Sequence, residues 1–169
     1  MKLNIFYSFF AVLIVSIASC SSENKKLPIL GEREPIEKVV DGKTVIDTIY
    51  KTIPDFNFMN QDSVMISNQT LQNSIYVADF FFTTCGSICP KMSTNLVEVQ
   101  KAVLNNPKVM LLSHTVFPEV DSVSVLKAYA IKYGVVDSKW NLVTGDKKEI
   151  YSLARKAYLA VKLGKPSEL

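Results

Sequence analysis

Runs of hydrophobic residues alternate with amphipathic stretches through the middle of the chain. Residues 75–82 read IYVADFFF, a nearly continuous apolar run, and predict a central strand that is buried on both faces. Residues 88 to about 104 are predicted to form a helix, and residues 108–113, KVMLLS, a second buried strand. A strand, a helix and a strand in this order predict two neighbouring parallel strands.

The remaining pattern toward the C-terminus predicts two more helices with a strand between them. Asp121 can cap the first helix, which should stop before Gly134, a glycine of the kind that ends helices. Residues 140–143 predict a short strand. Asp146 and Glu149 resemble a capping box that opens the second helix, EIYSLARKAYLAV. The alternation of strands and helices predicts an α/β fold.

Ahead of these elements, the pattern predicts extended structure. The segment VVDGKTVIDTIYKTIPDF has β-branched runs on both sides of Asp41 and Gly42, a favoured tight-turn pair, and therefore predicts a hairpin. The segment FNFMNQDSVMISN predicts a second extended piece that turns within residues 60–63.

The N-terminus has the pattern of an exported protein. Residues 1–19 contain one lysine and then an uncharged apolar run, which predicts a signal peptide. The sequence Ile-Ala-Ser-Cys that ends at Cys20 resembles the lipobox of bacterial lipoproteins, in which the cysteine is lipidated; the alternative is an ordinary signal peptide. Residues 20–35 are then a lipidated N-terminus and linker, and residues 36–169 one domain. We therefore predict a membrane-anchored lipoprotein that faces the bacterial periplasm.

Charge and cysteine content narrow the classes of function. The 169 residues carry 19 Lys and Arg against 16 Asp and Glu, interspersed rather than clustered, which excludes an obvious nucleic-acid partner. Of the three cysteines, Cys20 is the predicted lipidation site, so Cys85 and Cys89 remain. A domain of this size needs no disulfide to fold, so this pair is expected to have a chemical role.

The stretch TTCGSICPKM places Cys85 and Cys89 where the first buried strand gives way to a helix. Unpaired amide N–H groups and the helix dipole favour thiolate over thiol there. In a helical turn the two Cα atoms would lie about 6 Å apart, within reach of a disulfide or of one shared soft ion such as copper(I). The spacing alone does not decide between thiol exchange, metal binding and a structural disulfide.

The chain resembles the Sco/SenC family of thioredoxin-fold copper proteins, particularly its bacterial lipoprotein members. The resemblance is carried by IPDFNFMNQD, IYVADFFFTTCGSICPKM, LLSHTVFPEVDSVSVLKAYA and WNLVTGDKKEIYSLAR. It implies a thioredoxin-like fold with an N-terminal β-hairpin extension. It also implies a metallochaperone that loads copper into a cytochrome c oxidase subunit or another copper protein. Cys85 and Cys89 would then bind Cu(I), or Cu(II) with a histidine. The alternative is a membrane-anchored thiol–disulfide oxidoreductase that acts on the cysteines of a copper protein through the same pair.

The chain departs from the family pattern in two places. The family's third copper ligand is a histidine on a strand after the last helix predicted here, but no histidine follows His114 and the sequence stops at Leu169. We therefore expect the domain to be incomplete at its C-terminus and to lack its last strand pair, rather than to be a natural two-ligand variant. Phe117 occupies a loop position where many members have aspartate, which weakens any expectation of acidic help from that loop.

Three other side chains near the predicted site leave alternatives open. His114, at the end of the second buried strand, could be a substitute copper ligand, a hydrogen-bond partner of the ligands, or a structural residue. Met92 could be a soft axial ligand, although a helical methionine usually fills the core. Asp79, a carboxylate inside the first apolar run, could tune a thiol pKa or lie at an open edge of the sheet.

Overall fold

The computed structural model describes residues 28–29, 31 and 33–160. The chain divides into two compact units, residues 1–30 and 31–169, and the description below concerns the second. The predicted signal peptide and Cys20 lie outside the described residues, as do residues 161–169. Within the described ranges, no helix has the length and apolar character needed to cross a membrane.

Seven strands and three helices are described in the second unit. The strands are β1 (Arg33–Val40), β2 (Lys43–Tyr50), β3 (Asn57–Asn60), β4 (Met65–Ser67), β5 (Ile75–Phe81), β6 (Val109–Thr115) and β7 (Trp140–Thr144). The helices are α1 (Ile88–Val103), α2 (Val123–Tyr133) and α3 (Lys147–Lys156).

The strands form a hairpin and a larger mixed sheet. Strands β1 and β2 pair as a separate antiparallel hairpin, with the predicted turn at Asp41 and Gly42, both of which have positive φ. The other five strands lie in the order β4-β3-β7-β6-β5. β5, β6 and β7 are parallel, whereas β3 is antiparallel to both β7 and β4. The predicted α/β fold with neighbouring parallel strands is therefore confirmed.

Strand β5 does not have the position that its apolar run predicts. Among the strands of the described range it is the last of the sheet, with β6 as its one neighbour. Ile75 is 71% exposed and Val77 40%, whereas Phe81, on the same face, is buried. The prediction of a central strand buried on both faces is therefore wrong for the described residues, because β5 has one neighbouring strand there and the first half of this face is exposed.

Two hydrophobic clusters cover the two faces of the sheet. Successive residues of β6 alternate between them, so that Leu111 belongs to the first cluster and Leu112 to the second. The first cluster also contains Phe81, Cys89, Leu96, Leu126, Tyr129, Ala130, Trp140 and Leu142. The second also contains Phe56, Phe58, Ile66, Leu71, Val143, Ile150 and Leu153. The cluster that a side chain joins therefore depends on its face of the sheet as well as on its strand, and this applies to His114.

The helix termini are only partly those that the sequence predicts. Gly134 ends α2 in the left-handed conformation, with φ 66°, and Asp146 caps α3 by accepting from the Glu149 N–H at 3.0 Å. The N-cap of α2 is Ser122, whose hydroxyl accepts from the Val125 N–H at 3.4 Å. The prediction that Asp121 caps α2 is wrong, because its carboxylate accepts hydrogen bonds from Thr83 and Thr115 instead.

Candidate metal and thiol-exchange site

The turn between β5 and α1 holds Cys85 and Cys89, which we call the thiol pair. Cys89 lies in the first turn of α1, where the first hydrophobic cluster covers it to 3% exposure. Cys85 lies in the loop before the helix, is partly exposed, and donates its backbone N–H to the Phe82 carbonyl at 3.2 Å. Both thiols are free. One sulfur is thus open to solvent and the other is enclosed.

The two thiols have opposite electrostatic environments. The pKa of Cys85 is lowered to about 6, first by a hydrogen bond from the Cys89 thiol and then by the backbone N–H groups of Ser87 and Cys89. The pKa of Cys89 is raised to about 11, first by burial and then by its interaction with Cys85. At neutral pH, Cys85 is therefore the thiolate and Cys89 the thiol. The predicted stabilisation of the thiolate at the start of the helix therefore applies to Cys85 and not to Cys89.

We expect iodoacetamide to alkylate Cys85 first, with a rate that rises through pH 6 and reaches a plateau above it, because only the thiolate reacts. Peptide mass spectrometry over a pH series measures this rate for each cysteine. Replacing Cys89 with alanine should raise the midpoint, since the hydrogen bond that contributes most to the low pKa is lost. Equal rates at Cys85 and Cys89 would contradict the asymmetry.

Asp79 lies at the inner side of the site rather than in solvent. It accepts a hydrogen bond from the Ser113 hydroxyl, and Ser113 accepts from Trp140 Nε1 at 2.8 Å. Burial raises the pKa of Asp79 to about 6, against the lowering effect of Ser113. After burial and Cys85, the charge of Asp79 is a further cause of the raised Cys89 pKa. Both predicted alternatives therefore hold for the described residues: Asp79 lies on the last described strand of the sheet, and its charge also raises a thiol pKa.

His114 is enclosed on the other face of the sheet. It follows Ser113 in β6 and so points away from Trp140, into the second hydrophobic cluster. The rings of Phe56, Phe58, Phe80 and Tyr158, here called the aromatic cage, have centroids 5.1 to 5.9 Å from the imidazole.

The imidazole of His114 has no polar contact inside the aromatic cage. It is 0% exposed, and neither ring nitrogen has a hydrogen-bond partner. Burial lowers its pKa to about 4. The structure does not bring His114 to the thiol pair. Across the described residues, no three His, Cys, Asp or Glu side chains are placed to hold a metal together.

The other predicted candidates have packing or surface positions. Met92 packs against the first hydrophobic cluster, as a helical methionine usually does. Phe117 is 38% exposed, and the Lys147 ammonium lies 5.8 Å from the centre of its ring. Lys147 also pairs with Glu119 at 2.9 Å. The acidic charge of this loop is therefore balanced by lysine at the surface.

Asp121 lies near the site, although the sequence predicted for it only a helix cap. Asp121 is 0% exposed and accepts hydrogen bonds from the Thr83 backbone and hydroxyl and from the Thr115 hydroxyl. Thr83 lies two residues before Cys85. Asp121 is 36 residues after Cys85 in the sequence, so no local spacing marks it. The signals in the sequence were its place after the second buried strand and within a stretch that carries the family resemblance.

Comparison with known proteins identifies the family. Residues 47–168 match the SCO1/SenC family, and the chain belongs to that family. It is 33% identical over 122 residues to the SCO1 protein homolog of Bacillus subtilis, covering 71% of this chain and 63% of the relative. The chain thus spans about three fifths of the length of the curated relatives it matches, 63% and 62%.

Solved structures agree with this assignment and confirm the thioredoxin-like fold. BsSco, a member of the Sco family of cytochrome c oxidase assembly proteins in which a disulfide switch was identified, is 34% identical with a TM-score of 0.61. The alignment covers 69% of this chain and 68% of BsSco. ScoI of Bradyrhizobium japonicum, solved with copper bound, has a TM-score of 0.56 over 64% of this chain and 68% of its own. At 22% identity, ScoI shows the fold alone.

Proposed function

We propose that this protein binds copper as cargo on Cys85 and Cys89 and delivers it during cytochrome c oxidase assembly. The receiving protein is the copper-containing oxidase subunit or another copper protein. The observation that carries the proposal is the thiol pair itself, one ionised accessible sulfur beside one enclosed sulfur in one turn. Membership of the family supports it, since BsSco is described as one of the oxidase assembly proteins.

The donor set of the described residues fits copper(I). Thiolates are soft ligands that favour copper(I). Both cysteines are free, and neither is committed to a disulfide. Copper(II) would need a further ligand, and His114 lies on the opposite face of the sheet. A histidine for that state would therefore come from outside the described residues or from a partner.

The asymmetry of the two sulfurs gives an order of events. Cys85, already a thiolate near neutral pH, makes the first contact with the incoming ion. The Cys89 thiol then loses its proton as the ion replaces it, so that binding releases about one proton per copper at pH 7. Release runs in the opposite direction, with the partner's ligand approaching from the exposed Cys85 side.

Thiol–disulfide exchange is the second candidate, and the same asymmetry favours it. The Cys85 thiolate would attack one sulfur of a partner disulfide, and the other partner sulfur would leave as a thiolate. Cys89, after losing its proton, would then attack Cys85 and release the second partner thiolate. Two electrons pass to the partner, and the Cys85–Cys89 disulfide forms. The disulfide switch identified in BsSco supports thiol chemistry in the family.

We propose a lipid anchor at Cys20 that holds the domain at the periplasmic face of a membrane. The support is the Ile-Ala-Ser-Cys sequence that precedes the polar segment SSENKK. Two or more acyl chains would give stable anchoring.

Competition titration tests the copper proposal directly. The reduced full chain should take one copper(I) from a chelator such as bicinchoninate, whereas the disulfide-oxidised chain should take none, because its sulfurs are no longer thiolates. Protein with both thiols alkylated is the control. Oxidised protein that binds copper as well as reduced protein would refute the thiol pair as the site. Rapid turnover on a model disulfide without copper binding would favour the oxidoreductase.

A further inference from the structure

The Asp121 carboxylate joins two loops that are separate in sequence. It accepts from the Thr83 backbone N–H at 3.2 and 3.4 Å, from the Thr83 hydroxyl and from the Thr115 hydroxyl. Thr83 belongs to the loop that carries Cys85, and Thr115 is the last residue of β6. We call Thr83, Thr115 and Asp121 the Asp121 cluster.

A fully buried carboxylate is stable only when its oxygens are well satisfied. Asp121 is 0% exposed, and none of the ion pairs between described residues includes it. The two threonines supply hydrogen-bond donors to both carboxylate oxygens. Hydrogen bonds to a carboxylate are stronger than those between neutral groups, so each donor is held firmly.

Asp121 is itself fixed in place. Its backbone N–H donates to the Phe117 carbonyl at 3.0 Å, and the next residue, Ser122, caps α2. Thr115 also accepts from the Phe117 N–H at 3.0 Å. The Asp121 carboxylate is thus fixed relative to the sheet and to α2, and through Thr83 it fixes the loop that carries Cys85.

The two cysteines depend on different supports. Cys89 is held by α1 and by the first hydrophobic cluster. Cys85 depends on the loop between β5 and α1, in which Thr83 is bound by Asp121. The hydrogen bonds that fix this loop therefore determine the position of the Cys85 sulfur relative to the Cys89 sulfur.

We propose that Asp121 is a positioning residue for the thiol pair. By holding Thr83, it sets the separation and orientation of Cys85 relative to Cys89, and with them the stability of the Cys85–Cys89 disulfide and of the copper complex. The copper part rests on the proposed function, whereas the disulfide part needs only the two cysteines.

The test compares Asp121→Asn and Thr115→Val with wild type in the full chain. The first readout is the equilibrium between the Cys85–Cys89 disulfide and glutathione, in which two glutathione thiols supply two electrons and two protons and become oxidised glutathione. We expect both variants to shift this equilibrium constant about tenfold in the same direction, because each weakens hydrogen bonds to one charged acceptor. Thr115→Val is informative because Thr115 lies outside the cysteine loop.

The second readout is the copper(I) affinity, measured by competition with bicinchoninate, which should change in both variants. Asp137→Asn is the control, since the Asp137 carboxylate is exposed and bonds Gln61 and Lys127 instead. A double variant should shift the glutathione equilibrium less than the sum of the single shifts.

The proposal fails if Asp121→Asn and Thr115→Val lower the melting temperature but leave the glutathione equilibrium at the wild-type value. That result would give Asp121 a purely structural role. If wild type binds no copper, the proposed function fails while the glutathione measurement still decides the positioning role. If Asp121→Asn does not fold, Thr115→Val alone decides it by the same measurement.

Discussion

Replacing Cys89 with serine is expected to weaken copper(I) binding by about a hundredfold or more, because a hard hydroxyl replaces one of two soft sulfurs. The substitution keeps the size of the side chain, which matters because Cys89 is 3% exposed within the first hydrophobic cluster. The measurement is competition with a copper(I) chelator, and circular dichroism confirms that the fold is kept.

The same variant separates the chaperone from the oxidoreductase. With Cys89 absent, the accessible Cys85 thiolate can attack a partner disulfide but no resolving thiol is present, so a mixed disulfide should accumulate. Cys85→Ser is the matched variant: it should also lose copper, yet trap almost no partner, because Cys89 is buried and its pKa is raised to about 11. Unchanged copper affinity in Cys89→Ser would remove Cys89 from the ligand set.

The position of the thiol pair could be predicted from sequence because it depends on local features. A continuous apolar run ends, two cysteines and a proline follow, and a helix begins. The turns at Gly42 and Gly134 were predictable for the same reason, since each needs a positive φ that glycine adopts without strain. Local backbone preferences are encoded within a few residues, and the sequence shows them directly.

What the sequence did not show depends on contacts between distant segments. Asp121 is a residue type that often caps helices. Its carboxylate instead accepts hydrogen bonds from Thr83 and Thr115, and Ser122 caps α2. The neighbours of a strand are likewise not encoded in its own apolar run, so that β5 was placed at the centre of a sheet in which it is the last described strand.

The face on which a side chain lies can be derived from sequence only when the register is known. His114 follows Ser113, and the period of two in β6 sends the two side chains to opposite faces. Ser113 reaches Asp79 and Trp140 near the thiol pair, whereas His114 enters the aromatic cage. The place of His114 at the carboxyl end of the second buried strand suggested it as a ligand, but alternation along the strand separates it from the cysteines.

Two groups with large pKa shifts, the enclosed His114 and the partly buried Asp79, are expected to affect the stability between pH 4 and 6.5 in opposite directions. His114 has its pKa lowered from 6.5 to about 4 by burial, so the stability due to its neutral form is present above pH 6.5 and lost as pH falls through 4. Asp79 has its pKa raised from 3.8 to about 6, also by burial. The stability due to its protonated form is therefore present below pH 3.8 and lost as pH rises through 6.

The two effects are similar in size. Each pKa difference corresponds to about 3 kcal/mol between the ends of its range, so the contributions of His114 and Asp79 should nearly cancel in wild type. His114 is the only histidine of the chain, so no second imidazole contributes. Cys85, whose pKa is about 6, affects stability mainly above the window.

Removing one group should reveal the other. His114→Phe keeps an aromatic ring in the aromatic cage and leaves Asp79 alone, so its free energy of unfolding should rise by about 3 kcal/mol as pH falls from 6.5 to 4. At neutral pH it should also exceed wild type by about 1–3 kcal/mol, because an unpaired buried polar group is removed. Asp79→Asn leaves His114 alone and should lose about 3 kcal/mol over the same fall in pH.

Urea unfolding at half-unit steps of pH measures these slopes. Parallel curves for His114→Phe and wild type would mean that His114 does not stay neutral and enclosed in the folded state. A His114→Phe curve that falls with decreasing pH would instead contradict the protonation assigned to Asp79. Because the two variants are expected to have slopes of opposite sign, an error in either assignment shows in its own curve and cannot be hidden by the other.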